Sequence, residues 1–164
     1  MSAVQNNLFV RLHKWAIRQD ENFLTETFAF LLEFLADNEP EAACELVARI
    51  TGGIITLSPQ QVRSLEIRTQ ITGADGIPDI ELRTAHHFVI IEVKSEAEAT
   101  EDQRGRYRRT LNSSGVASTA LVLLTHYPAS VVGADHYFRW YQIAELIYTG
   151  VGQISVQGRK SVLG

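Results

Sequence analysis

The run Phe88-Val89-Ile90-Ile91, inside "HFVIIEVK", constrains the fold of this chain more than any other segment. Aromatic and β-branched residues in so short a run read as a strand at the centre of a folded core. Charges border it closely: Pro78-Asp79 lies upstream, and the strand runs directly into Glu92-Val93-Lys94. Core stability alone gives no reason to set charges there.

The elements around that strand follow from periodicity. At 164 residues the chain is the size of one domain, able to bury a core without disulfides or a structural metal. A short helix within residues 1–20 is suggested by Leu8, Phe9, Leu12, Trp15 and Ala16, and an interior helix by Phe23 to Ala36, with Asn22 as its cap. Glu41 to Ile50 is amphipathic and closes at Gly52-Gly53. From Leu65 the period becomes two: "LEIRTQIT", "PDIELRT" and "HFVIIEVK" read as three meandering strands. Thr100 to Leu111 then reads as a helix, "STALVLLT" as a buried strand, Phe138 to Tyr148 as a helix, and Gln153 to Val156 as a last strand. The class is α/β, a mixed central sheet flanked by helices. No stop signal precedes Gly164, which is compatible with the N-terminal part of a longer protein.

Composition excludes several roles. The net charge of −4 and pI near 5.7 argue against a protein that coats nucleic acid through a basic surface, so local charge must carry any such contact. Cys44 is the single cysteine, which rules out an intramolecular disulfide and a Cys-rich zinc site and suits a reducing cytoplasm. Met1 to Val10 shows no basic region followed by an apolar stretch, and no run of about 18 apolar residues occurs. A cytoplasmic protein is expected.

The charged residues converge when the hairpin is counted out. A two-residue turn at Ala85-His86 pairs Thr84 with His87 and sets Asp79 opposite Glu92, with Cβ atoms about 4.5–5.5 Å apart. Lys94 shares their face, because side chains alternate along a strand. A symmetric four-residue loop preserves this register; a three-residue loop leaves the pair diagonal. Two carboxylates this close repel, and a divalent cation relieves the repulsion. Magnesium fits, since it takes hard oxygen ligands and commonly one or two carboxylates plus a substrate phosphate. The chemistry implied is metal-assisted phosphodiester hydrolysis. The alternative is a set of exposed charges with one weak surface ion pair.

Pro78-Asp79 followed by Glu92-Val93-Lys94 resembles the signature of the PD-(D/E)XK nuclease superfamily, and helix, three strands, helix, strand resembles its restriction-endonuclease-like αβββαβ core. The likeness spans about Asn22 to Thr125. It implies that Asp79 and Glu92 bind Mg²⁺, or Mn²⁺ as a substitute, with the backbone carbonyl of Val93, and that Lys94 assists the attacking water. It also implies a glutamate from the preceding helix. Glu26 is placed there ahead of Glu21 and Glu33, against the alternative that Glu26, Glu33 and Asp37 form a solvent-facing stripe.

Gln103 and Tyr107, four apart on one helix face, are similar to the Gln-x-x-x-Tyr pair of RecB-like nucleases, where the pair positions substrate or lysine. Arg104, Arg106, Arg108 and Arg109 surround it, with Arg104 and Arg108 expected to touch phosphate. Gly105 is a departure within that helix. Glu81 shares the Asp79 face as a secondary acid or an edge charge. His86 and His87 read as turn residues, Trp15 and Trp140 as helical core, and "GVGQISVQG" lacks the Lys-Ser/Thr of a phosphate loop. The expectation is a DNA-cleaving nuclease, with homodimerisation open. The alternative is an inactive module of the same fold that binds nucleic acid or a protein partner.

Overall fold

In the computed structural model, residues 8–73, 76–94, 100–126, 128 and 133–149 are described, with side chains from residue 20 onward. The chain opens with α1 (Leu8–Asn38), α2 (Pro40–Ile50) and α3 (Pro59–Arg63), then β1 (Glu66–Thr69), β2 (Ile80–Arg83) and β3 (His87–Lys94). After α4 (Glu101–Ser113) come β4 (Ser118–Thr125), β5 (His136–Arg139) and a helix over 140–149, here α5.

The strands form one mixed sheet in the order β1-β2-β3-β4-β5. β1, β2 and β3 meander antiparallel, whereas β4 runs parallel to β3 and β5 parallel to β4. The return from β3 to a parallel β4 needs a crossover, and α4 supplies it. Thr84 N–H donates to the His87 carbonyl at 2.9 Å across Ala85-His86, and Ile80 pairs with Ile91. The two-residue turn and its register are therefore as counted.

Alternation along β3 divides the core into two layers. Val89, Ile91 and Val93 pack with Phe28 and Leu32 of α1, Leu46 and Ile50 of α2, Val62 of α3 and Ile143 of α5. Phe88 and Ile90 face the other way, against Tyr107 and Leu111 of α4 and Leu121 of β4. Both faces of β3 are thus dry, which is why it reads as a near-continuous apolar run.

Three expectations change. The two amino-terminal helices are one, and Asn22 lies inside it rather than at its cap, with Oδ1 accepting from Gln70 Nε2 at 2.6 Å. α1 ends where Pro40, which lacks an N–H, begins α2. Nor is α1 wholly interior: Phe23 and Phe30 are 71% and 69% exposed, so only one of its faces joins the core. Phe138 belongs to β5, not to the helix after it, because a strand position beside β4 buries it against the α1–α2 layer. The strand expected at Gln153–Val156 lies outside the described residues. Among those described, no helix is long and apolar enough to cross a membrane.

α2 closes through Gly52 at φ +62°, where an added Cβ would stand 2.5 Å from His136 Nδ1 of β5. Gly52→Ala is expected to lower unfolding free energy by about 1–3 kcal/mol in chemical denaturation. His136→Ala in the same chain should recover the steric part of that loss and leave the backbone part.

Candidate functional site

Extending the β2–β3 register by one residue sets Asp79 opposite Glu92 at the end of the sheet where β3, β4 and β5 finish. Clefts outside the carboxyl ends of parallel strands are where α/β sheets commonly bind ligands. Asp79 Oδ2 accepts the Val93 N–H at 2.8 Å, an amide that no β2 partner reaches because the strand has ended. Lys94 Nζ lies 2.8 Å from Glu92 Oε1 and 4.0 Å from Glu21 Oε2 of α1.

α4 orients the pair from above. Gln103 Nε2 donates to Glu92 Oε1 at 2.5 Å and to Tyr107 Oη at 3.2 Å, and the Tyr107 hydroxyl donates to the Ile77 carbonyl at 2.8 Å. Gly76, at φ +133°, lets the Tyr107 ring approach the strand that leads into Pro78-Asp79. One helix face therefore holds both acids, Glu92 through Gln103 and Asp79 through the backbone before it.

Glu92 is 2% exposed, and its Oε2 is buried with no hydrogen-bond partner. Leaving a carboxylate oxygen unpaired costs a few kcal/mol, so the gap calls for a positive or protic ligand. Burial and the nearby Asp79 charge push the Glu92 carboxyl up to about 7, against the pull of Lys94. Burial also raises Asp79, opposed by the Val93 amide and Lys94 and reinforced by Glu21. For Lys94, burial acts downward, but Glu92, Glu21 and Asp79 outweigh it and hold the ammonium above its usual range. The Tyr107 phenol is pushed up to about 12 by burial and Glu92, which keeps it a hydrogen-bond donor.

This donor set fits a divalent cation. Two hard carboxylates face each other, one oxygen is orphaned, and the acids outnumber the single lysine. Among the described residues, no three or more His, Cys, Asp or Glu side chains stand together as a ligand cluster. Asp79 and Glu92 would hold the ion, leaving its other positions to water, backbone and substrate, as magnesium prefers.

Other expected site residues stand elsewhere. Glu26 is exposed, and the α1 carboxylate beside Lys94 is Glu21. Five residues along a helix rotate the side chain by about 140°, so the two cannot share a face. Glu21 is in phase with Thr25, Phe28 and Leu32 on the core-facing stripe. A carboxylate on an otherwise buried stripe was the signal that favoured it.

Arg104 and Arg108 turn toward the loop before β5. Arg108 binds Asp135 at 2.7 Å and the Gly133 carbonyl at 3.2 Å, and Arg104 packs over Gly133. Asp135 in turn bonds the Leu121 backbone from both its N–H and its carboxylate. Arg108 thereby fastens β5 to the sheet. Glu81 is buried and paired with Arg83, whose guanidinium caps the Phe88 ring. His87 bonds Thr84 within the turn.

No protein-family model, no curated protein and no solved structure matches this chain.

The raised Glu92 carboxyl has a consequence for stability. A folded-state value near 7 against an ordinary 4.5 favours folding below pH 4.5, and the contribution is lost as pH rises through 7. Glu92→Gln, which keeps the acceptor for Gln103 and Lys94, should therefore stabilise the metal-free protein by on the order of 2 kcal/mol at pH 8. Thermal unfolding in EDTA should show that gain shrinking to nothing near pH 4.5.

Proposed function

We propose that this chain is a metal-dependent nuclease of the PD-(D/E)XK type, which hydrolyses phosphodiester bonds of DNA with magnesium, or manganese in its place. One observation carries the reading: Asp79 and Glu92 oppose each other at the sheet end with the buried Glu92 Oε2 unpaired, beside Lys94. The helix, three-strand meander, helix and parallel strand around it agree with the restriction-endonuclease-like core that the sequence signature implies.

Asp79 and Glu92 would bind the ion, with the Val93 carbonyl added by the resemblance. When bound, magnesium supplies Lewis acidity to the phosphodiester and lowers the pKa of water. Lys94, braced by Glu92 and Glu21, offers a proton-bearing ammonium beside the attacked phosphate, where it orients the nucleophile and offsets developing negative charge. Gln103 and Tyr107 keep the Glu92 carboxylate and the approach to Asp79 in place, a positioning role. A preset arrangement of this kind needs little reorganisation when charge develops.

The test is incubation of the purified chain with linear and circular DNA, single and double stranded, in magnesium and in manganese. Cleavage is expected in both metals and should fall at least about 100-fold in Asp79→Ala and Lys94→Ala. Glu21→Gln should cost more activity than Glu26→Gln, because Glu21 touches Lys94. Calorimetric magnesium affinity should weaken about tenfold per pH unit below 7, as a proton on Glu92 must leave. A chain that binds metal and DNA but never cuts is the inactive module instead, and one that binds neither overturns the reading.

A further inference from the structure

We infer that the site continues across the sheet as a phosphate-binding row, Lys94–Thr125–Arg139, in which Arg139 holds a nucleic-acid phosphate flanking the one attacked. The inference rests on the nuclease reading and assigns that site's substrate grip to β5.

The row follows from register. Lys94 pairs with Thr125 of β4, and Thr125 with Arg139 of β5, both in parallel alignment. Parallel partners project to the same face, and Phe138, one residue before Arg139, is buried in the opposite layer with α1 and α2. Arg139 therefore lies on the face that carries Glu92 and Lys94. Two strand spacings separate it from Lys94, about 9–10 Å. Side chains projecting in parallel from one face keep about that spacing, which suits neighbouring phosphates on one strand better than a single phosphate held by both.

Charge sets this residue apart from the paired cations. Arg49, Arg68, Arg83, Lys94 and Arg108 each pair with a carboxylate. Half-buried Arg139 has no carboxylate partner among the described residues, and its Nε is buried with no hydrogen bond. Its guanidinium lies over the Tyr141 ring, 5.0 Å from the centroid, and its backbone N–H is held by Gln142 Oε1 at 2.8 Å. Stacking on an aromatic presets the planar fork that recognises phosphate. The α4 arginines do not compete for this role. Arg108 fastens the loop before β5 and Arg104 packs over its Gly133, while Arg106 and Arg109 are exposed, rotated about 100° and 160° from Tyr107.

The test is fluorescence anisotropy of a labelled oligonucleotide, single-stranded and duplex, titrated with the full chain in calcium between about 50 and about 200 mM salt. Arg139→Gln should weaken binding about 3- to 10-fold and lower the slope of log affinity against log salt by about one, while Arg139→Lys keeps the wild-type slope. In cleavage assays the loss should fall on KM. Arg139→Met, which keeps an apolar stem against Tyr141, should behave like Arg139→Gln and serves if that variant fails to fold. Wild-type affinity and slope in folded Arg139→Gln or Arg139→Met, beside intact metal-dependent cleavage, would overturn the inference alone. No oligonucleotide binding and no cleavage by the wild-type chain would overturn it together with the nuclease reading.

Discussion

Three carboxylates act on one ammonium at the end of the sheet, two of them at ion-pair distance, and that imbalance bears on the arrangement around it. Glu92 is sealed between layers, Asp79 is bound to the Val93 amide, and Glu21 approaches from α1, with Lys94 among them. A buried ion pair of one acid and one base would be complete; this cluster is short of positive charge. Such a deficit is costly in a folded protein unless a cation or a proton fills it, and burial, the largest cause, raises the Asp79 and Glu92 carboxyls, with the Asp79 charge adding to it at Glu92.

The scaffold makes that cost bearable. β3 is dry on both sides, so its end cannot shift without disturbing two packed layers. Tyr107 connects these levels: its ring fills the smaller layer against Phe88 and Ile90, while its hydroxyl ties Gln103 to the strand leading into Asp79. Core packing and site geometry are thus carried by one side chain. At the far edge, Arg108 and Asp135 hold β5 to β4, which brings Arg139 into the row with Lys94. By contrast, Phe23, Phe30 and Phe34 of α1 stand in solvent, an outer stripe that the core does not use.

Much of this arrangement was legible in the residues. Alternation located β1, β2 and β3, a two-residue turn at Ala85-His86 set the register, and the register brought Asp79 to Glu92. Helical phase paired Gln103 with Tyr107. Errors arose where a local signal competed with a distant one. Asn22 is a good cap by type, yet α1 continues through it because the residues before it also hold helix. Four arginines in one helix suggest a phosphate face, and one of them, Arg108, also holds a loop 25 residues further along the chain. Phe138 opens a stretch that reads as helix, until β4 offers it a parallel strand partner.

The sequence by itself determined the strand pairing through β3 and the identity of its acid pair, because a tight turn fixes register and a two-residue period fixes the face. Only the tertiary structure decided which α1 carboxylate reaches Lys94, that β5 exists, and that Arg139 stands in the same row as Lys94. Those contacts join residues far apart in the chain, whose meeting depends on how layers pack rather than on local spacing.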